Sequence, residues 1–319
     1  MTDLVLAVPA LRRALFDGTN YTDAFNAVID AGASATADAK AEAIRALLAD
    51  LDGARAVIIG ELSIASGALV EQGGSPTESL GVLLDALANG ADTLVAAGLA
   101  LDEANLDRGE APEELAPAER GWVRAFRRLV VGTMARLARS VDARKLARAH
   151  SRLDTSIRAL SERIHSWHVG YIQEVLDMLD DAPLLLVDTE ANTITRLRVN
   201  GIRNCFHLIT LLEGHDPFAL TEDSLATHHG FYSWRYLGIT NGRAIDQIQT
   251  MIPGDLRAVD IPMFDGTRVV VRTPNDVHRS WDMSFVSPIH DALRSMVTTE
   301  LQLPDADART LRERMAATP

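Results

Sequence analysis

The chain has 319 residues, 47% of them hydrophobic and 24% charged, which is the make-up of a globular protein and excludes disorder over most of its length. A formal charge of −13 disfavours nonspecific nucleic-acid binding by the molecule as a whole. The single cysteine, Cys205, excludes an internal disulfide framework and any cysteine-based zinc or iron–sulfur site within one chain.

"MTDLVLAVPALRRALF" carries Asp3 where a signal peptide carries basic residues, and Arg12 and Arg13 interrupt its apolar run. An amphipathic helix is expected there. "TNYTDAFNAVIDAG" follows, with Thr19 or Asn20 as N-cap and Gly32 as the closing residue. "ADAKAEAIRALLADLDG" then places Ile44, Leu47, Leu48 and Leu51 at helical spacing. The most apolar stretch, "ARAVIIGELSIASGALV", contains Arg55 and Glu61 and is too short to span a bilayer. "GGSPTES" reads as a turn and N-cap before the helix of "LGVLLDALANGADTLVAAGLAL", where Gly90 is a candidate break. A helical domain is therefore expected over residues 1–101, in a soluble, cytoplasmic protein with no membrane association.

Residues 102–119 are acidic and hold two prolines, and an exposed linker is expected there. Long amphipathic helices are expected from 120 to 181. Trp122, Phe126, Leu129, Val130, Thr133, Leu137 and Val141 recur at steps of three and four, with Arg120, Arg124, Arg127 and Arg128 opposite. Charge is segregated along the chain. Residues 1–119 carry 20 acidic and 6 basic side chains, 120–163 carry 3 and 12, and 164–319 carry 21 and 13. The basic segment is expected to dock on the acidic helices of the same chain. Nucleic-acid binding through the basic helix at 120–148 is the alternative it must be weighed against.

At Pro183 the period changes. "PLLLVD" and "TITRLRV" read as strands joined by "TEAN", and "GIRNCFHLITLLEGHDPF" as a helix. "RAVDIPMFDGTRVVVRT" reads as a hairpin turning at Asp265-Gly266, with Pro262 placing its first strand at an edge. "SPIHDALRSMVTTELQL" is expected to be a final helix, followed by a charged tail over 304–319. The expected fold class is mostly α with a smaller α+β part. A helical amino-terminal half precedes a small mixed or antiparallel sheet with helices over 182–303.

Three stretches concentrate chemistry-bearing side chains. In "SERIHSWHVGY", Glu162, His165 and His168 follow at intervals of three, which on one continuous helix stacks them along a side. The Glu-x-x-His spacing occurs once, whereas a di-iron bundle needs two. His168 falls in step with Ile157, Ile164, Ile172, Val175 and Leu179 and is assigned to the apolar stripe, and His165 beside Glu162 is kept as an acid–base candidate. "ATHHGFYSWRY" gathers His228, His229, Phe231, Tyr232, Trp234, Arg235 and Tyr236 on a loop turning into a strand, a mixture that binding surfaces favour. "PNDVHRSWDM" adds Asp276, His278, Arg279, Trp281 and Asp282 after the hairpin.

The catalytic candidates are thus His165, Glu162, His229, Asp276 and His278. The binding candidates are His228, His229, Tyr232, Trp234, Arg235, Arg279 and Trp281. No P-loop, dinucleotide fingerprint or nucleophile elbow is present, so no cofactor and no resident metal are expected. The expected role is a binding or accessory protein with a protein or peptide partner, homo-oligomerisation also being open. Its helical half would be the assembly surface and its α+β half the recognition site. The alternative is a small-molecule enzyme working through His/Asp acid–base chemistry or a single metal ion.

Overall fold

The computed structural model describes residues 3–98, 103–214, 232–236, 256–274, 290 and 292–317. They divide into two compact units, residues 1–176 and 177–319, each with its own interior. The first is helical, and the second is a sheet with helices. The protein is mostly α with a smaller α+β part.

The first unit contains α1 (Leu4–Asp17), α2 (Thr22–Ser34), α3 (Ala37–Leu47), α4 (Ala56–Glu71), α5 (Leu80–Ala97), α6 (Glu103–Arg108), α7 (Pro117–Leu137), α8 (Val141–Ala149), α9 (Leu153–Ser161) and α10 (Trp167–Leu176). Local chemistry sets several of the ends. Asp3 accepts from Val5 N–H at 3.0 Å to start α1, and Gly18 closes it in the left-handed region (φ 68). Arg12 on α1 donates to the carbonyls of Ala46, Leu47 and Ala49 at 2.7, 2.9 and 2.7 Å, satisfying the last turn of α3.

The central element is α4, buried on every side except near its start, as its nearly unbroken apolar sequence requires. It lies against α7 backbone to backbone. A Cβ on Gly67 would stand 2.9 Å from the Gly132 carbonyl oxygen, and a Cβ on Gly132 would collide with the Ser63 backbone. Helix α5 is long and apolar enough to cross a membrane, and its Leu80, Leu83, Leu84, Leu87 and Leu94 are buried in this unit.

Gly32 and Gly90 do not end or break their helices. Each marks a close approach: Gly32 faces Leu69 and Gln72 of the α4 end, and a Cβ on Gly90 would stand 2.8 Å from Trp122 Cε3. The acidic stretch read as an exposed linker carries α6, and its Leu106 and Leu115 are buried. The basic segment does dock on the acidic helices. Arg128 pairs with Glu61 (2.9 Å), Arg139 with Glu71 (3.3 Å) and Arg152 with Asp92 (2.6 Å). Arg136 is wholly buried, and its Nη1 donates to the Glu78 carbonyl at 2.6 Å. Burial pulls its pKa down to about 10.

The second unit is built on β1 (Ala182–Asp188), β2 (Thr193–Asn200), β3 (Tyr232–Tyr236), β4 (Met263–Phe264), β5 (Thr267–Pro274) and β6 (Met296–Gln302), with α11 (Cys205–Leu212) and α12 (Asp305–Ala317). The sheet order is β3-β5-β1-β2-β6, with β4 paired to β5. It is mixed, because β1 and β5 run parallel and the other pairs antiparallel. Asp265 (φ 48) and Gly266 (φ 74) make the expected tight hairpin turn between β4 and β5.

One sheet face is covered by Cys205, Leu208 and Ile209 of α11 with Ala258 and Ile261, and the other by Ala308, Leu311 and Met315 of α12. The charged tail therefore docks as a helix. Within the stretch expected as a final helix, Met296–Gln302 form β6 instead. Val297, Thr298 and Thr299 are consecutive β-branched residues, and pairing with β2 decides their conformation.

Candidate functional site

A cleft of about 840 Å³ opens in the helical unit where α4 and α7 begin. Ala54, Arg55, Ala56 and Val57 line it from the start of α4, and Pro117, Ala118, Arg120, Gly121, Trp122 and Arg124 from the first turns of α7. Leu15, Gly18, Thr19 and Tyr21 close it from the α1–α2 connection. Its volume falls in the range of small-molecule sites.

Its floor is polar. Glu61, five residues into α4, is 7% exposed and lines the cleft, where Arg128 Nε holds it at 2.9 Å. Tyr21 is hydrogen-bonded to the same carboxylate. Burial, and then the bond to Glu61, raise the pKa of Tyr21, so its hydroxyl stays protonated and donates at neutral pH.

The rim is cationic. Arg55, Arg120 and Arg124 have no carboxylate partner among the described residues, and Arg120 donates only to the Glu113 carbonyl, at 3.3 Å. The start of α4 adds to this field. Its N-cap is Arg55, which makes no side-chain cap bond, and its first turn holds no acidic residue. The N–H groups of Ile58 and Ile59 bond the Arg55 carbonyl, while those of Ala56 and Val57, both lining the cleft, have no capping side chain, and the positive end of the helix dipole lies with them. At the start of α7, Glu119 folds back on Ala116 N–H at 2.8 Å.

The chain matches no family model, no curated protein and no solved structure.

The stretch around His165 and His168 is not one helix. Helix α9 ends at Ser161 with Glu162 as its C-cap, and α10 begins at Trp167. Glu162 and His165 are both exposed and share no bond, so no acid–base pair forms between them. His168 is not a core residue of an apolar stripe. Its Nδ1 lies 2.8 Å from Asp107 Oδ1, and a carboxylate there requires Nδ1 to carry the proton and donate.

Ser166 Oγ donates to the same oxygen at 2.6 Å, and Trp167 N–H also bonds Asp107. Burial pushes Asp107 up, but the bonds from Ser166, His168 and Trp167 outweigh it and hold its pKa below the usual value. Asp107 thus ties α6 to the start of α10. Trp167 itself is 68% exposed.

His228, His229, Asp276, His278, Arg279 and Trp281 lie outside the described residues. Tyr232, Trp234 and Arg235 lie on β3, whose backbone pairs with β5 in the register Tyr232↔Pro274 and Trp234↔Arg272. His290 Nδ1 accepts from Ala292 N–H at 3.1 Å, a turn contact. Cys205 is buried in the apolar core, as its small size suits. No group of three His, Cys, Asp or Glu side chains placed to hold a metal occurs among the described residues.

The cleft was missed in the sequence. Arg55 and Glu61 registered there only as interruptions of an apolar run, and Tyr21 not at all. The signal was present in Glu61, the one charged residue of α4 before its terminal Glu71, in a helix otherwise nearly apolar. Such a residue is either neutralised inside or placed at a site.

Proposed function

We propose that the chain is a binding protein for a small organic anion, held in the cleft at the starts of α4 and α7. One observation carries this reading. A protein of net charge −13 gathers three guanidiniums, Arg55, Arg120 and Arg124, around one concave site, none with a carboxylate partner among the described residues. Clustered cations repel one another, and an anionic ligand relieves that repulsion while concave walls focus the field on it. Trp122, Leu15 and Val57 supply the apolar wall that an organic anion, unlike a simple ion, can use.

The test uses 8-anilinonaphthalene-1-sulfonate as an amphipathic anionic probe. Its fluorescence should rise saturably with the full chain, and its affinity should fall as salt is added. Replacing Arg55, Arg120 and Arg124 with serine together should weaken it about tenfold or more, at roughly half a kcal/mol per exposed contact. Arg127→Ser, on α7 outside the cleft, should leave it unchanged. Equal affinity for the triple variant and the parent would remove the proposal.

A further inference from the structure

We infer that the ligand is a phosphate monoester carrying free hydroxyl groups, an inference that rests on the cleft being an anion site. Two poles of the cleft define this chemistry. The first is the rim, where three guanidiniums and the uncapped start of α4 offer more donors than a carboxylate can accept. Each guanidinium presents a planar fork of N–H groups, whereas a carboxylate has only two oxygens. A phosphate monoester brings three terminal oxygens and up to two charges, and helix starts combined with arginine forks suit it.

The second pole is Glu61. Among the described residues it is the one carboxylate lining the cleft, and it lies five residues along α4 from Ala56. At 1.5 Å per residue this puts it roughly 7 Å along the helix from the rim. A carboxylate has about four acceptor positions. Arg128 and Tyr21 each take one, so acceptor capacity remains toward the cleft. Arg128 also neutralises the charge of Glu61, which leaves little attraction for a ligand cation. A neutral hydroxyl donor gains a charge-assisted hydrogen bond there. A second ionised acid group gains nothing there, because a carboxylate only accepts hydrogen bonds and an anion has none to donate.

The ligand therefore has a phosphate at one end and hydroxyls about one sugar ring away, with Trp122 beside its body. Sugar phosphates and nucleoside 5′-monophosphates share this chemistry. Glu61 is the residue that distinguishes such a ligand from a bare phosphate.

Calorimetric titration of the full chain tests this with inorganic phosphate, phenyl phosphate, ribose 5-phosphate and adenosine 5′-monophosphate. At least one of the two hydroxylated esters should bind about tenfold tighter than both inorganic and phenyl phosphate, or about 1.4 kcal/mol. Tighter binding of adenosine 5′-monophosphate than of ribose 5-phosphate assigns the nucleoside source, and equal binding the sugar source.

Glu61→Gln should abolish that preference while leaving inorganic phosphate within about twofold, since a purely structural role would weaken both alike. Glu61→Asp keeps the charge opposite Arg128 and withdraws it from the cleft, so it reports the same discrimination if the glutamine variant does not fold. No preference in the parent chain, or equal loss for inorganic phosphate in the variants, overturns the inference. If all four phosphates fail while the anilinonaphthalene probe binds, the phosphate assignment alone falls. If the probe fails too, the anion cleft falls with it.

Discussion

Asp107 concentrates three hydrogen bonds on one carboxylate, from Ser166, His168 and the Trp167 N–H, and joins the short α6 to the start of α10. Its pKa lies below the usual value because these donors bind the ionised form. A carboxylate depressed on folding contributes stability above its unfolded value, about 3.9, and that contribution fades as pH falls through the folded value. Asp107→Asn should therefore cost about 2 kcal/mol near neutrality, read from urea unfolding. The gap between variant and parent should close as pH is lowered below about 3.9, the unfolded value. A gap that stays constant as pH falls below that value would mean that packing, and not the charge, holds α6 in place. None of this was visible in the sequence. Asp107 sits about sixty positions before its partners, and spacing rules reach only a turn or two along one helix.

At the scale of elements, the seam between α4 and α7 is the most constrained feature of the helical unit. Gly67 and Gly132 face each other, Ser63 Oγ donates to the Leu129 carbonyl at 3.3 Å, and Ala125 lies against Gly60. Gly132→Ala would drive a methyl group into the backbone of α4, which cannot yield as a side chain would. A loss of about 3 kcal/mol is expected by thermal or urea unfolding. Gly170 on α10 provides the contrast, because a Cβ there meets nothing within 4 Å. Gly170→Ala should stabilise by roughly 0.5–1 kcal/mol through helix propensity. Similar effects from the two substitutions would contradict the tight seam.

Helices α1 to α5, α7 and α11 were legible, because their apolar stripes repeat at helical spacing, and so was the β1–β2 and β4–β5 pairing, whereas α6 and α12 lie in charged stretches with few large apolar residues. The role of Gly32 and Gly90 was not, since a glycine that ends a helix and one that admits a neighbour look alike in one dimension. Two further readings failed for reasons of context. The break between α9 and α10 falls within an unbroken apolar period, and β6 becomes a strand only because β2 offers it a partner. The cleft is harder still, since it draws Tyr21, Glu61 and Arg120 from three separated segments.

At the scale of the whole molecule, the charge pattern and the two cores argue for two folding units. The acidic early helices and the basic later ones lie within residues 1–176 and neutralise each other there through Arg128–Glu61, Arg139–Glu71 and Arg152–Asp92. The two apolar clusters of the second unit draw only on residues from Leu179 onward. The fragment 1–176 retains α4 surrounded by its neighbours, the Asp107 bonds and every residue lining the cleft. Expressed alone, it should give a helical circular-dichroism spectrum and a cooperative melt. It should also bind the anilinonaphthalene probe saturably, with an affinity within about twofold of the full chain and the same dependence on Arg55, Arg120 and Arg124. A fragment that aggregates or melts without cooperativity would show that the second unit is needed for the first to fold. A folded fragment that has lost the probe would show instead that residues beyond 176 complete the binding site.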